Sequence, residues 1–239
     1  MANVQKLAGR VQDIEILFFD ISAATGLPTR EELQAMASVQ RRFGLTFSLH
    51  TPLDVMLADT NPDRRREGVE TILQAVRLAE PIAPRLYVVH VTPPPTRDLP
   101  RWQAKVRTSL EALLKAGVRP RQLCIETLNY DFAQLEPVVA ELRLSVAIDV
   151  GHLQRDGVAW EAVLQRNLPR TRIIHWHGVA PEGQDHRSLA HFPRAGAYRL
   201  LQILREEHYT GVLTLEVFRE NDFEESWRLL QNLWISRRR

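Results

Sequence analysis

The 239-residue sequence has a single cysteine, Cys124. A lone thiol excludes an intrachain disulfide and a cysteine-based zinc site, and it fits a reducing compartment. Long apolar runs are also missing. None reaches the length of a membrane span, and the opening MANVQKLAGRVQDIEILFF has no extended apolar core of the kind a signal peptide carries. The expectation is a cytoplasmic protein with no membrane association. An excess of one charge is absent too: 31 basic residues face 29 acidic ones, for a net +2. Nucleic-acid binding needs basic residues gathered on one face. The only dense runs are Arg64, Arg65, Arg66 and the terminal Arg237, Arg238, Arg239. They read as a solvated helix start and a frayed tail. No low-complexity linker, internal repeat or second domain is evident. With 44% hydrophobic and 25% charged residues, the composition is that of a globular protein, expected to form one domain over residues 1–239.

What is present is an alternation. Short β-rich runs at Ile14–Asp20, Leu45–His50, Arg85–Val91, Gln122–Glu126, Leu144–Asp149, Arg172–His177 and Gly211–Phe218 are separated by amphipathic segments. EGVETILQAVRLAE, from Glu67, repeats its apolar residues at helical spacing. This is the rhythm of βα units around a parallel sheet. Seven strands can be read, Met1–Asp13 offers no first strand, and Pro93, Pro94 and Pro95 form a stiff loop after the third.

Side chains alternate between the faces of a strand. His50 therefore shares a face with Ser48 and Thr46, Glu126 with Cys124, Asp149 with Ala147 and Ser145, and Glu216 with Thr214 and Val212. The opposite face carries Leu49, Val89, Ile125, Ile148, Ile174 and Leu215, suited to lie under helices. One histidine at a strand end is ordinarily a hydrogen-bonded core residue. A carboxylate in an apolar strand is less easily dismissed, because a buried charge needs a counter-charge or a metal. Six polar strand ends, at His50, His90, Glu126, Asp149, His175 and Glu216, point to a shared metal site where barrel strands end. The stretch RIIHWHGVAPEGQDHRSL from Arg172 adds His177 on the same face as His175, then Asp185 and His186 on the following loop. His191 reads as a surface or structural residue.

The ordered motifs SLHTPLD, YVVHV, CIET, AIDVGH, HWHG, DHRSL and LEVF resemble those of the xylose isomerase-like barrel superfamily, in the branch of endonuclease IV-type metal phosphodiesterases. The resemblance runs from Ile14 to about Leu230 and implies a TIM-like (β/α) barrel. It implies that His50, His90 and Glu126 hold one metal, that Glu126, Asp149, His175 and Glu216 surround a second, and that His152 with Asp185 or His186 serves a third. The DNA-cleaving relatives carry an Asp-x-His pair in that last loop, whereas Asp185 and His186 are adjacent here. Two or three divalent ions, zinc or manganese, are the implied cofactors. EILFF, HTPLD, IETLNY, IDVGHL, HWHGV, DHRSL and TLEVF are similar, more closely, to the cobamide-remodelling phosphodiesterases called CbiR. That similarity implies a corrinoid substrate whose nucleotide-loop phosphodiester is hydrolysed to cobinamide phosphate and the lower-ligand riboside.

Such a reaction needs a nucleophilic water, charge stabilisation and help for the leaving oxygen. Glu126 is the candidate bridging carboxylate, and His177, His186 and Arg187 are candidates for contact with phosphate or leaving group. Three other readings share the fold. A sugar isomerase or epimerase needs one metal and only Glu126, Asp149, His175 and Glu216. An abasic-site endonuclease needs basic and intercalating residues on its loops. A non-catalytic module would use a metal to hold its fold.

Overall fold

The computed structural model describes residues 1–18, 27–93 and 98–235, with Ile235 described by its backbone alone. Phe19 and Asp20 of the first expected strand, Pro94 and Pro95 of the proline loop, and Arg237, Arg238 and Arg239 lie outside the described residues. The chain forms two compact units, Met1–Val146 and Ala147–Arg239.

The first unit contains α1 (Ala2–Leu7), β1 (Asp13–Leu17), α2 (Arg30–Phe43), β2 (Thr46–His50), α3 (Pro62–Leu78), β3 (Leu86–Val89), α4 (Leu99–Lys115), β4 (Leu123–Glu126) and α5 (Glu136–Glu141). Strand β5 (Ser145–Asp149) contains the boundary. The second unit continues with α6 (Val150–Arg155), α7 (Trp160–Asn167), β6 (Thr171–Trp176), α8 (Arg194–Glu206), β7 (Val212–Leu215) and α9 (Glu220–Ile235). All seven expected strands are present, and the segment before the first of them begins as a short helix.

In the first unit β1, β2, β3 and β4 pair in parallel in that order. Parallel neighbours need long crossovers, which α2, α3 and α4 provide. The register sets Leu17 beside His50, His50 beside Val88, and Val89 beside Ile125. In the second unit β6 and β7 are parallel, with His175 beside Thr214. Helix ends follow local chemistry. Thr29 and Glu32 form a capping box before α2, which stops at Gly44 in the left-handed region (φ 65°). Asn61 caps α3 ahead of Pro62, and the run Arg64–Arg66 falls in the start of that helix.

Every residue of β4 and β5 is buried, as expected for strands covered on both faces. Leu49, Val89, Ile125, Ile148 and Ile174 are fully buried; each such side chain contributes about 1.5–3 kcal/mol by leaving water. Leu215 is only half-buried. The polar face of β2 finds partners that the sequence pattern did not reveal. Thr46 Oγ1 and Ser48 Oγ donate to the Asp13 carboxylate at 2.5 and 2.7 Å. Burial raises the Asp13 carboxyl above its ordinary range, and those two hydrogen bonds oppose the rise. No helix among the described residues is long and apolar enough to cross a membrane.

Candidate metal centres

In the first unit three neighbouring strands deliver three side chains to one place. His50 ends β2, His90 follows β3 by one residue, and Glu126 ends β4. His50 Nε2 lies 3.2 Å and His90 Nε2 2.6 Å from the same oxygen, Glu126 Oε2. The His50 and His90 rings meet edge to face at 4.8 Å. His50 and Glu126 are buried and His90 is half-buried. His50 Nδ1 also faces the Thr51 carbonyl at 2.9 Å. A neutral imidazole has one N–H to give, yet both nitrogens of His50 face oxygen. Donation to the carbonyl leaves Nε2 with a lone pair opposite a carboxylate, an arrangement that a cation between them satisfies. Ligands ~2.0–2.1 Å from a tetrahedral ion sit ~3.3 Å apart, close to the His50 separation; the shorter His90 contact would have to open. The donor set fits a divalent ion.

In the second unit Asp149 ends β5 and also caps α6. Its Oδ1 accepts the His152 N–H at 2.8 Å and lies 3.3 Å from His177 Nε2. Its Oδ2 is 2.5 Å from His152 Nδ1. Burial alone would raise the Asp149 carboxyl, but hydrogen bonds and positive charge from His152 and His177 outweigh it and hold the group well below the carboxylate range. His177 follows β6 by one residue and is fully buried. Its ring lies 4.9 Å from that of His152 and 4.4 Å from that of His186. His175 Nδ1 is 3.6 Å and His186 Nδ1 3.5 Å from Glu216 Oε2. Potential ligand atoms of His152, His177 and His186, and those of Asp149, His177 and Glu216, lie within 4.8 Å of one another. These are two overlapping sets of three that share His177.

The loop after β6 is held by specific bonds. Gly178 and Arg187 exchange backbone hydrogen bonds of 2.8 and 3.1 Å. Arg187 Nε donates to the buried Asp222 carboxylate at 2.9 Å, and Nη1 to Gln184 at 3.1 Å. Asp185 reaches His152 Nε2 at 3.4 Å and pairs with Arg155 at 2.5 Å. His186 adopts the left-handed region (φ 52°), a costly conformation for a non-glycine residue. In return its backbone N–H reaches His177 Nδ1 at 3.0 Å. The adjacent Asp185 and His186 thus both approach His152, Asp185 through its carboxylate and His186 through its ring at 5.1 Å. His191 is exposed.

Two participants have no counterpart in the strand-end pattern. Gly151 lies against the His177 ring, and Phe218 against that of His186 at 4.7 Å. The glycine of AIDVGH was the available signal for the first.

His186 carries a testable pH dependence. Burial, then the charges of His177 and His152, lower its imidazole from 6.5 to about 4, against the opposing pull of Asp185 and Asp149. Between those values the unfolded chain binds the extra proton, so the contribution to stability is complete above 6.5 and is lost as pH falls toward 4. The Asp149 contribution is lost only below 3.8, its ordinary value. Urea midpoints of the metal-free protein should therefore fall as pH is lowered across the first window. His186→Asn should flatten that slope, and an unchanged slope would show that His186 does not bury a neutral ring.

Residues 11–235 match the family model described as xylose isomerase-like TIM barrel. The chain belongs to that family, and its fold class is the TIM-like (β/α) barrel, with seven strands among the described residues. Among solved structures it is similar to a D-tagatose 3-epimerase-like protein, at 16% identity over 93% of this chain and 88% of the other, with TM-score 0.77. It is similar to endonuclease IV from Thermus thermophilus, at 20% identity over 98% and 94% with TM-score 0.70. A D-psicose 3-epimerase from Clostridium cellulolyticum gives 14% identity over 99% and 92% with TM-score 0.67. These likenesses are of fold. No curated protein matches the chain by sequence.

Proposed function

We propose that the whole chain, residues 1–239, is one barrel domain acting as a metal-dependent phosphodiesterase on the nucleotide loop of cobamides. The supporting observation is that each compact unit carries its own ligand cluster: His50, His90 and Glu126 in one, and Asp149, His177 and Glu216 with His152, His175 and His186 in the other. A one-metal isomerase has no use for His50 and His90. The choice of a corrinoid substrate rests on the ordered motifs HTPLD, IETLNY, IDVGHL, HWHGV, DHRSL and TLEVF. The buried Cys124 fits a cytoplasmic location.

Two or three divalent cations, zinc or manganese, would supply a nucleophilic water at neutral pH and neutralise charge on the phosphoryl oxygens. The chain's own groups do the rest. Water oxygen bonds to phosphorus, the bond from phosphorus to the ribosyl oxygen breaks, and that oxygen takes a proton. Cobinamide phosphate and the lower-ligand riboside result. Whichever of His177 and His186 does not ligate an ion would hold or pass that proton. Arg187, braced by Asp222, fixes the loop that carries His186 and offers a cation to phosphate. Glu126 and the His152, Asp185 pair complete the ligand set.

The decisive experiment is incubation of the metal-loaded protein with a cobamide, with riboside release followed by chromatography; no release would overturn the assignment. The similarity to epimerase structures supports a second reading, a sugar or sugar-phosphate epimerase. One ion per chain favours that reading, whereas two or three favour the hydrolase. Glu126→Ala tests the first cluster directly. It removes the oxygen that both His50 and His90 approach, so hydrolysis and metal content should fall together. Full metal occupancy in that variant would remove Glu126 from the ligand set.

A further inference from the structure

The segment after β7 turns sharply: the Val217 N–H bonds back to the Leu215 carbonyl at 3.0 Å. Within three residues it then presents two different chemistries. Glu216 approaches His186 and His175 through its carboxylate. Phe218 sets its ring 4.7 Å from that of His186, with the planes 43° apart, and remains 55% exposed. Phe18, Phe47, Phe132 and Phe192 are all buried, so the core has its phenylalanines. A large apolar ring open to water at the edge of a histidine and carboxylate cluster has the character of a recognition surface, where a flat partner recovers the area left exposed.

We propose that Phe218 is a specificity-determining residue, the platform on which the aromatic base of the substrate's ribosyl phosphate stacks. The inference rests on the phosphodiesterase reading, and it deepens that reading by naming the part of the substrate this site recognises. The lower ligand of a cobamide is a planar base one sugar away from the phosphate. Held against Phe218, it places the ribosyl oxygen beside His186, whose Nδ1 is anchored 3.2 Å from the Glu216 carbonyl. Stacking is tolerant of base identity, because each planar base offers a π-face. Phe218 therefore selects for an aromatic base without choosing among them.

The test is equilibrium binding of benzimidazole riboside, with inorganic phosphate as the base-free probe, to metal-loaded wild type, Phe218→Ala and Phe218→Trp. Riboside binding should weaken roughly tenfold in the alanine variant and be restored in the tryptophan variant, while phosphate binding stays equal in all three. Equal riboside binding by wild type and alanine variant, or none by wild type, overturns the stacking role. So does a parallel loss of phosphate binding, which would reduce Phe218 to a support for His186. Failure of the wild type to hydrolyse a cobamide overturns the phosphodiesterase reading, whereas the riboside comparison judges the stacking without any turnover.

Discussion

If the proposed phosphodiesterase function holds, a variant with His50 and His90 both changed to alanine is expected to lose hydrolysis on the order of a thousandfold, together with about one bound ion per chain. Both rings aim Nε2 at Glu126 Oε2, so the change removes every histidine nitrogen from the first cluster. Asp149, His177 and Glu216 of the second unit are untouched, so an ion held there should stay. The fold should survive, since the change deletes little apolar area, but not without cost. Glu126 is 1% exposed, and a buried carboxylate that loses two of its polar neighbours is destabilising by about 1–3 kcal/mol. A paired variant, His50→Gln with His90→Gln, places amide donors near Glu126 and separates lost ligation from lost stability. Metal analysis, hydrolysis and thermal unfolding should be measured on both. Retention of full activity and full metal content by the alanine variant would leave the first cluster with no part in the chemistry. An epimerase or a one-metal hydrolase would then be the better reading.

The sequence exposed this cluster because each member occupies or adjoins a strand end, and period-two alternation assigns faces without knowledge of the fold. The same logic brought His175, His177, Asp149 and Glu216 forward. Strand limits were less legible. His90, His177 and Glu216 lie one residue beyond β3, β6 and β7, because side-chain alternation runs on past the last regular strand residue; the Glu216 N–H still bonds to the Trp176 carbonyl at 3.2 Å. Alternation also could not tell which polar residues on a face serve the site and which serve one another. Thr46 and Ser48 share a face with His50, yet they hydrogen-bond to Asp13, a pairing fixed by the β1–β2 register. The double function of Asp149, cap of α6 and partner of two histidines, needed the helix start to be known to the residue. Phe218 was invisible for a related reason: an aromatic residue after a strand is ordinarily core, and only its exposure and its ring contact with His186 mark it out.

The second large effect is expected at Gly151, where the usual rule for glycine in a helix should reverse. Gly151 follows the first residue of α6, and replacing a helical glycine by alanine ordinarily stabilises by up to about 1 kcal/mol. Here an added Cβ would press against the Nε2 edge of the His177 ring, 2.5 Å from both Cδ2 and Cε1. Neither side can yield easily. The helix start is pinned by the Asp149 cap, while the fully buried His177 has Nδ1 held 3.0 Å from the His186 N–H and 3.1 Å from the Gly178 carbonyl. Gly151→Ala should therefore destabilise the protein by about 1–3 kcal/mol. It should also displace His177 from Asp149 and cost roughly a hundredfold in activity, as ångström-scale misplacement of a reacting group does. A double-mutant cycle isolates the cause. If the clash is responsible, Gly151→Ala should cost much less stability in a His177→Ala background, because the offending ring is gone. Equal costs in the two backgrounds, measured from urea unfolding, would assign the effect to α6 itself. A stabilising Gly151→Ala would mean that His177 has room to move, and that its approach to Asp149 is not held by the glycine.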